Sequence, residues 1–163
     1  MNKNLQDYIA IYNAIEPISC KNIIDNFNNE KWVKHFYVNP ITQNSKTYDN
    51  DLEITYKNKY IDYLNQKIIH CIDDYLINVA PNFFQLQEIS NIRFNKYEIG
   101  TNMKFHHDHI HTLFDGKKKG IPILTILGLL NDDFEGGDFL MFDDKKVQLN
   151  TGDIIIFPSN FLY

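Results

Sequence analysis

Arginine is nearly missing from this chain of 163 residues: of 16 cationic side chains only Arg93 is an arginine, and the net charge is −5. A general nucleic-acid binder would carry a basic face, so that class is excluded as an expectation. The basic run Lys117-Lys118-Lys119 is short and reads as a solvated loop. Cysteine is scarce as well. Cys20 and Cys71 lie far apart without metal-type spacing, which fits buried thiols in a reducing compartment better than a disulfide framework. No apolar run reaches membrane-spanning length. The start, Met1-Asn2-Lys3-Asn4, leads into a polar-faced segment rather than a signal-peptide core. A cytoplasmic protein with no membrane partner is expected. Repeats, low-complexity tracts and linkers are absent too, so residues 1–163 are expected to form a single domain.

Helical patterning dominates the first half. Leu5, Tyr8, Ile9, Tyr12 and Ile15 recur at helical spacing and predict an amphipathic helix over 5–15. Pro17 interrupts it, and Ser19 can cap a second helix carrying Ile23, Ile24 and Phe27. Weak strand signals follow around Trp32–Val38 and at Asp51–Tyr56. The clearest helix spans about 59–79, with Ile61, Leu64, Ile68, Cys71, Ile72, Tyr75 and Val79 in one stripe and Pro81 as its stop. His70 beside that stripe reads as a core-edge residue.

After Pro81 short strands take over. Ile89–Ile99 switches parity near Asn95-Lys96, which predicts a bulge. Residues 111–120 read as a loop, and Ile121–Leu130 as a strand buried on both faces. Asp138–Phe142 and Val147–Leu149 flank a hairpin turn, and Asp153–Phe157 forms another strand. Helices first and antiparallel strands second give an α+β class, with 1–88 as a helical support and 89–163 as the β core.

Four of the six histidines fall between 106 and 111. Gly100 turns the chain into a strand carrying His106, and on a β-strand residues two apart share a face, so His106 and Asp108 would project together. Imidazole and carboxylate at that separation can bind one metal ion, and a third ligand from elsewhere would complete a 2-His-1-carboxylate triad on Fe(II). A lone His-X-Asp also arises by chance, and a histidine cluster can be a solvated loop. His107, His109 and His111 share the opposite face, which could hold zinc or nickel instead.

The run Tyr97-X-X-Gly100-X5-His106-X-Asp108 resembles the prolyl 4-hydroxylase-like branch of the Fe(II)/2-oxoglutarate-dependent dioxygenases. Three further segments resemble that family in order: Thr125-Ile126-Leu127-Gly128-Leu129-Leu130-Asn131, Glu135-Gly136-Gly137-Asp138-Phe139, and Gly152-Asp153-Ile154-Ile155-Ile156-Phe157-Pro158-Ser159. The resemblance covers about 90–163. It implies a double-stranded β-helix, a jelly-roll or cupin-like barrel with N-terminal supporting helices. It implies hydroxylation of a C–H bond, in a prolyl or other residue of a peptide or in a small molecule, coupled to decarboxylation of 2-oxoglutarate to succinate. His106 and Asp108 are then the metal ligands and catalytic centre, and Tyr97 and Thr125 lie beside the co-substrate. The implied cofactors are Fe(II), 2-oxoglutarate and O2, with ascorbate as an optional addition.

The family pattern also asks for a second histidine after the Phe-Pro-Ser segment, and for a lysine or arginine some ten residues further on. Asn160-Phe161-Leu162-Tyr163 supplies neither. The expectation is therefore a dioxygenase domain whose last strands are missing, inactive or nearly so in this form. The competing reading is a truncated or non-catalytic, cupin-like metal-binding protein. Its usual His-X-His followed by a glutamate fits poorly, because Asp115 is the nearest carboxylate after His111.

Overall fold

The computed structural model describes residues 4–38, 44–47, 52–81, 86–109, 114–115, 119–142 and 144–163. His111 and the lysines at 117 and 118 lie outside them. The strands are β1 (Ala10–Asn13), β2 (Val33–Lys34), β3 (Tyr37–Val38), β4 (Ser45–Lys46), β5 (Glu53–Thr55) and β6 (Phe94–Lys96). They continue as β7 (Phe114–Asp115), β8 (Lys119–Gly120), β9 (Leu124–Gly128), β10 (Leu140–Met141), β11 (Lys145–Lys146) and β12 (Asp153–Pro158). Two α-helices, α1 (Pro17–Asp25) and α2 (Ile61–Asp74), complete an α+β arrangement of several antiparallel sheets. No closed barrel is present among the described residues. Among them, too, no helix is long and apolar enough to cross a membrane.

β12 is the strand on which the sheet is built. It pairs antiparallel with β1 on one side and β9 on the other. Its run Ile154-Ile155-Ile156-Phe157 is buried throughout. Alternation sends Ile154 and Ile156 into one core, with Ile23, Leu64, Ile72 and Tyr75 from the helices. Ile155 and Phe157 face a second core with Met141 and Phe161. Each such side chain contributes about 1.5–3 kcal/mol by leaving water, so four consecutive ones fix the register firmly.

The expected helix over 5–15 is not there. Leu5–Tyr8 makes one 3-10 turn, and Ala10–Asn13 is β1. The spacing that mimics a helix also alternates locally: Ala10 and Tyr12 pack on the first core, while Ile11 is 44% exposed. Pairing with the apolar edge of β12 outweighs a weak helical propensity. Pro17 does not merely interrupt; it opens α1 at the first helical position, where a missing N–H costs nothing. Glu16, not Ser19, is the residue before that helix.

α2 forms as its stripe demands, burying Leu64, Cys71 and Ile72, and relaxes into a π-turn at Tyr75–Val79 before Pro81. The Tyr75 hydroxyl donates to the Tyr8 carbonyl (2.8 Å), tying the helix end to the segment that enters β1. Cys20 and Cys71 are buried free thiols, as expected. His70 is exposed rather than at the core edge. β9 is shorter than the predicted strand, yet Ile126 and Leu127 pack on opposite cores as a strand covered on both faces should. The region 111–120 is not loop throughout, since β7 and β8 pair within it.

Glu16 links α1 to α2. It accepts hydrogen bonds from the Tyr63 hydroxyl (2.5 Å) and Lys67 Nζ (3.0 Å). These, the tyrosine first, draw its carboxyl down from 4.5 to about 2. A depressed folded-state pKa gives stability that is present above the unfolded value and lost as pH falls through the folded one. Tyr63→Phe should therefore flatten the decline in melting temperature between pH 4.5 and about 2. The effect is small, because the pair is solvent-exposed and screened by salt. A melting series at those pH values checks it, and an unchanged slope counts against the link.

Candidate metal centre

Gly100 turns the chain with φ +82°, and the Thr101 amide closes the turn on the Glu98 carbonyl (3.0 Å). The segment after it, 101–109, is not the expected strand: it has no regular ladder and bends at Phe105. It is held by the chain's last residues instead. His106 and Tyr163 exchange both backbone hydrogen bonds (2.9 and 3.0 Å), and the His109 amide donates to the Ser159 carbonyl (2.9 Å). Past β12 the chain turns at Ser159-Asn160, with the Phe161 amide on the Pro158 carbonyl (3.0 Å), and these contacts pin the backbone that carries His106 and Asp108.

The two side chains converge. His106 Nε2 lies 3.6 Å from Asp108 Oδ1. The other imidazole nitrogen, Nδ1, is 2.9 Å from the Lys104 carbonyl. With Nδ1–H donating there, the proton on Nε2 is the one that faces Asp108, and its loss would free the Nε2 lone pair that a metal-ligating histidine uses. Asp108 is held as well. The Thr125 hydroxyl, buried on β9, donates to Oδ2 (2.9 Å). The Tyr163 phenol lies close enough to this carboxylate to lower it further.

The electrostatics follow from these contacts. His106 is raised above the ordinary imidazole value, chiefly by its hydrogen bond to Asp108, against the effect of burial. Burial alone would raise Asp108, but hydrogen bonds from His106, Thr125 and Tyr163 outweigh it and hold the carboxyl low. Tyr163 is pushed far above the ordinary phenol value by burial and by the Asp108 charge, so it stays a donor. Arg93, immediately before β6, places its guanidinium 3.4 Å from His35 Nε2. Its positive field lowers both His106 and Tyr163, which puts the chain's one arginine beside the site.

Of the four residues singled out in the sequence, His106, Asp108 and Thr125 come together, with Thr125 bonded to the carboxylate itself. Tyr97 is 51% exposed and close enough to Tyr163 to raise its phenol. Of the opposite histidine face, His111 lies outside the described residues; the His107 and His109 rings are 6.5 Å apart, and His107 Nδ1 approaches the His109 carbonyl at 3.2 Å. Among the described residues, no group of three or more His, Cys, Asp or Glu side chains is placed to hold a metal. Sequence reasoning missed Tyr163 and Arg93. A terminal tyrosine carries no spacing signal, and a lone arginine ahead of a strand reads as solvated.

Thr125→Val keeps the shape of a β-branched side chain and removes its donor. Asp108 should then titrate at higher pH, read by carboxylate NMR, with about 1.5 kcal/mol of stability lost. An Asp108 titration that does not move would show that the hydroxyl does not matter.

No protein-family model and no curated protein sequence matches this chain.

Proposed function

We propose that this chain is the core of a non-haem Fe(II) and 2-oxoglutarate-dependent dioxygenase that hydroxylates a C–H bond, in a prolyl or other residue of a peptide. One observation carries the reading: His106 Nε2 and Asp108 Oδ1 face each other at 3.6 Å, each with its remaining polar atoms already committed. A neutral imidazole and a hard carboxylate suit Fe(II). The double-stranded β-helix belongs to the same proposal, with β1, β12 and β9 as part of one wall.

The donor set fits a metal at two positions. His106 supplies nitrogen, Asp108 oxygen, and Thr125 keeps the carboxylate from rotating. Bound there, Fe(II) would supply the activation of O2 that no amino-acid side chain provides. The protein's own share is orientation and exclusion of water, from the apolar residues of β9 and β12 behind the site. Arg93 is the cation whose field reaches His106, and a guanidinium suits the carboxylate of an acidic co-substrate. Tyr97 stands at the exposed rim, where a substrate would arrive.

The test begins with anaerobic addition of Fe(II) and 2-oxoglutarate, watching for a visible charge-transfer band. Succinate release is then measured after admission of O2. The band should appear and should vanish in His106→Ala. A band that is absent, or indifferent to His106, removes the reading.

A further inference from the structure

We infer that Tyr163 is a positioning residue that holds both side chains of the proposed metal centre at once, a role that rests on the function proposed above. Three contacts of different kinds converge on it. Its backbone exchanges both hydrogen bonds with His106. Its ring packs on the His106 ring, centroids 4.5 Å apart. Its hydroxyl lies close enough to the Asp108 carboxylate for each to shift the other.

The ring is anchored from behind. It sits 5.1 Å from Phe157 in an edge contact and 5.6 Å from Phe139. Phe157 is fully buried in β12, so the tyrosine ties the rigid second core to the site. A carboxylate has about four lone-pair directions. Thr125 takes one on Oδ2, and in this inference the Tyr163 phenol donates to another. With two hydroxyls gripping it, the carboxylate cannot swing freely, and Oδ1 keeps facing His106 Nε2. The imidazole, meanwhile, is confined between the Lys104 carbonyl on Nδ1 and the tyrosine face. Tyr163 thus acts through the two ligands and needs no contact with the metal.

Co(II) serves as the probe, followed by its visible bands, in wild type, Tyr163→Phe, Tyr163→Leu and His106→Ala. Tyr163→Phe should bind about tenfold more weakly, the lower end of what outer-shell losses cost metal sites. Its melting temperature should fall by no more than about 6 °C, the cost of one hydrogen bond to a charged group, since ring and packing remain. Tyr163→Leu should lose both affinity and melting temperature. In the metal-free protein, the Asp108 carboxylate 13C resonance should shift in Tyr163→Phe. Wild-type affinity in Tyr163→Phe, an unmoved Asp108 resonance, or a large fall in its melting temperature would each overturn the positioning role while leaving the metal reading intact. Co(II) uptake that His106→Ala does not diminish would overturn both.

Discussion

Asp108→Asn is expected to abolish metal uptake and to lower the pKa of His106 in the metal-free protein. The substitution changes almost no volume. An amide can still accept from the Thr125 hydroxyl and the Tyr163 phenol, so the surrounding bonds need not break. What disappears is the negative charge. In wild type, that charge and its hydrogen bond are what hold His106 above the ordinary imidazole value. Without them, the burial of the ring and the Arg93 field both push the other way, and His106 should titrate at lower pH. An NMR titration of the imidazole reads this with no metal added. The metal arm should show a loss exceeding the roughly 10–100-fold typical of outer-shell partners, because a charged ligand is removed. His107→Ala and His109→Ala should leave affinity unchanged. A His106 titration that does not shift in Asp108→Asn would mean that the 3.6 Å pair does not exist in solution.

The same pair sets the pH dependence of binding. A metal must displace the proton that His106 holds, and Asp108 favours that proton. Uptake should therefore strengthen as pH rises through the His106 pKa, over a range displaced upward from that of an isolated imidazole.

His106 and Asp108 were legible as a pair although the strand expected to carry them is absent; their backbone is pinned at His106 by Tyr163 and at His109 by Ser159. α2 was legible because its stripe runs for several turns and buries the residues it names. β12 was legible from four consecutive apolar residues ending in Pro158. β1 was not, because its four-residue alternation is too short to outweigh the helical spacing that runs through it; pairing with β12 decides its conformation. Thr125 was expected beside a co-substrate, and its observed partner is the carboxylate of Asp108. The resemblance located the residue, whereas its bond depends on the register between β9 and β12. Tyr163 was invisible for a related reason. Its three contacts with His106 and Asp108 exist only once the chain has closed the sheet.

Gly152→Ala is expected to destabilise the fold by about 4 kcal/mol, more than any surface substitution should. Gly152 sits at the turn into β12 with φ +90°. A left-handed conformation alone costs a non-glycine residue roughly 1–2 kcal/mol. Space is the larger problem. A Cβ here would lie 2.0 Å from the Ile15 carbonyl oxygen and 3.1 Å from its carbon, both backbone atoms that cannot rotate away. Moving Ile15 is no remedy. The Ala14 and Ile15 amides both donate to the Gly152 carbonyl (3.2 and 3.0 Å), and the Gly152 amide donates to the Leu129 carbonyl (2.8 Å). One glycine thus joins the exit of β1, the exit of β9 and the entrance of β12, the three strands of the central sheet. Shifting it breaks several of these bonds, each contributing about 1 kcal/mol. Gly136→Ala is the control. It too has a positive φ, +76°, but nothing lies within 4 Å of the added methyl. It should cost only the conformational part, roughly 1–2 kcal/mol. Urea unfolding of both variants separates the two contributions. Equal losses would mean that the close approach of Ile15 to the β12 turn is not a feature of the folded protein.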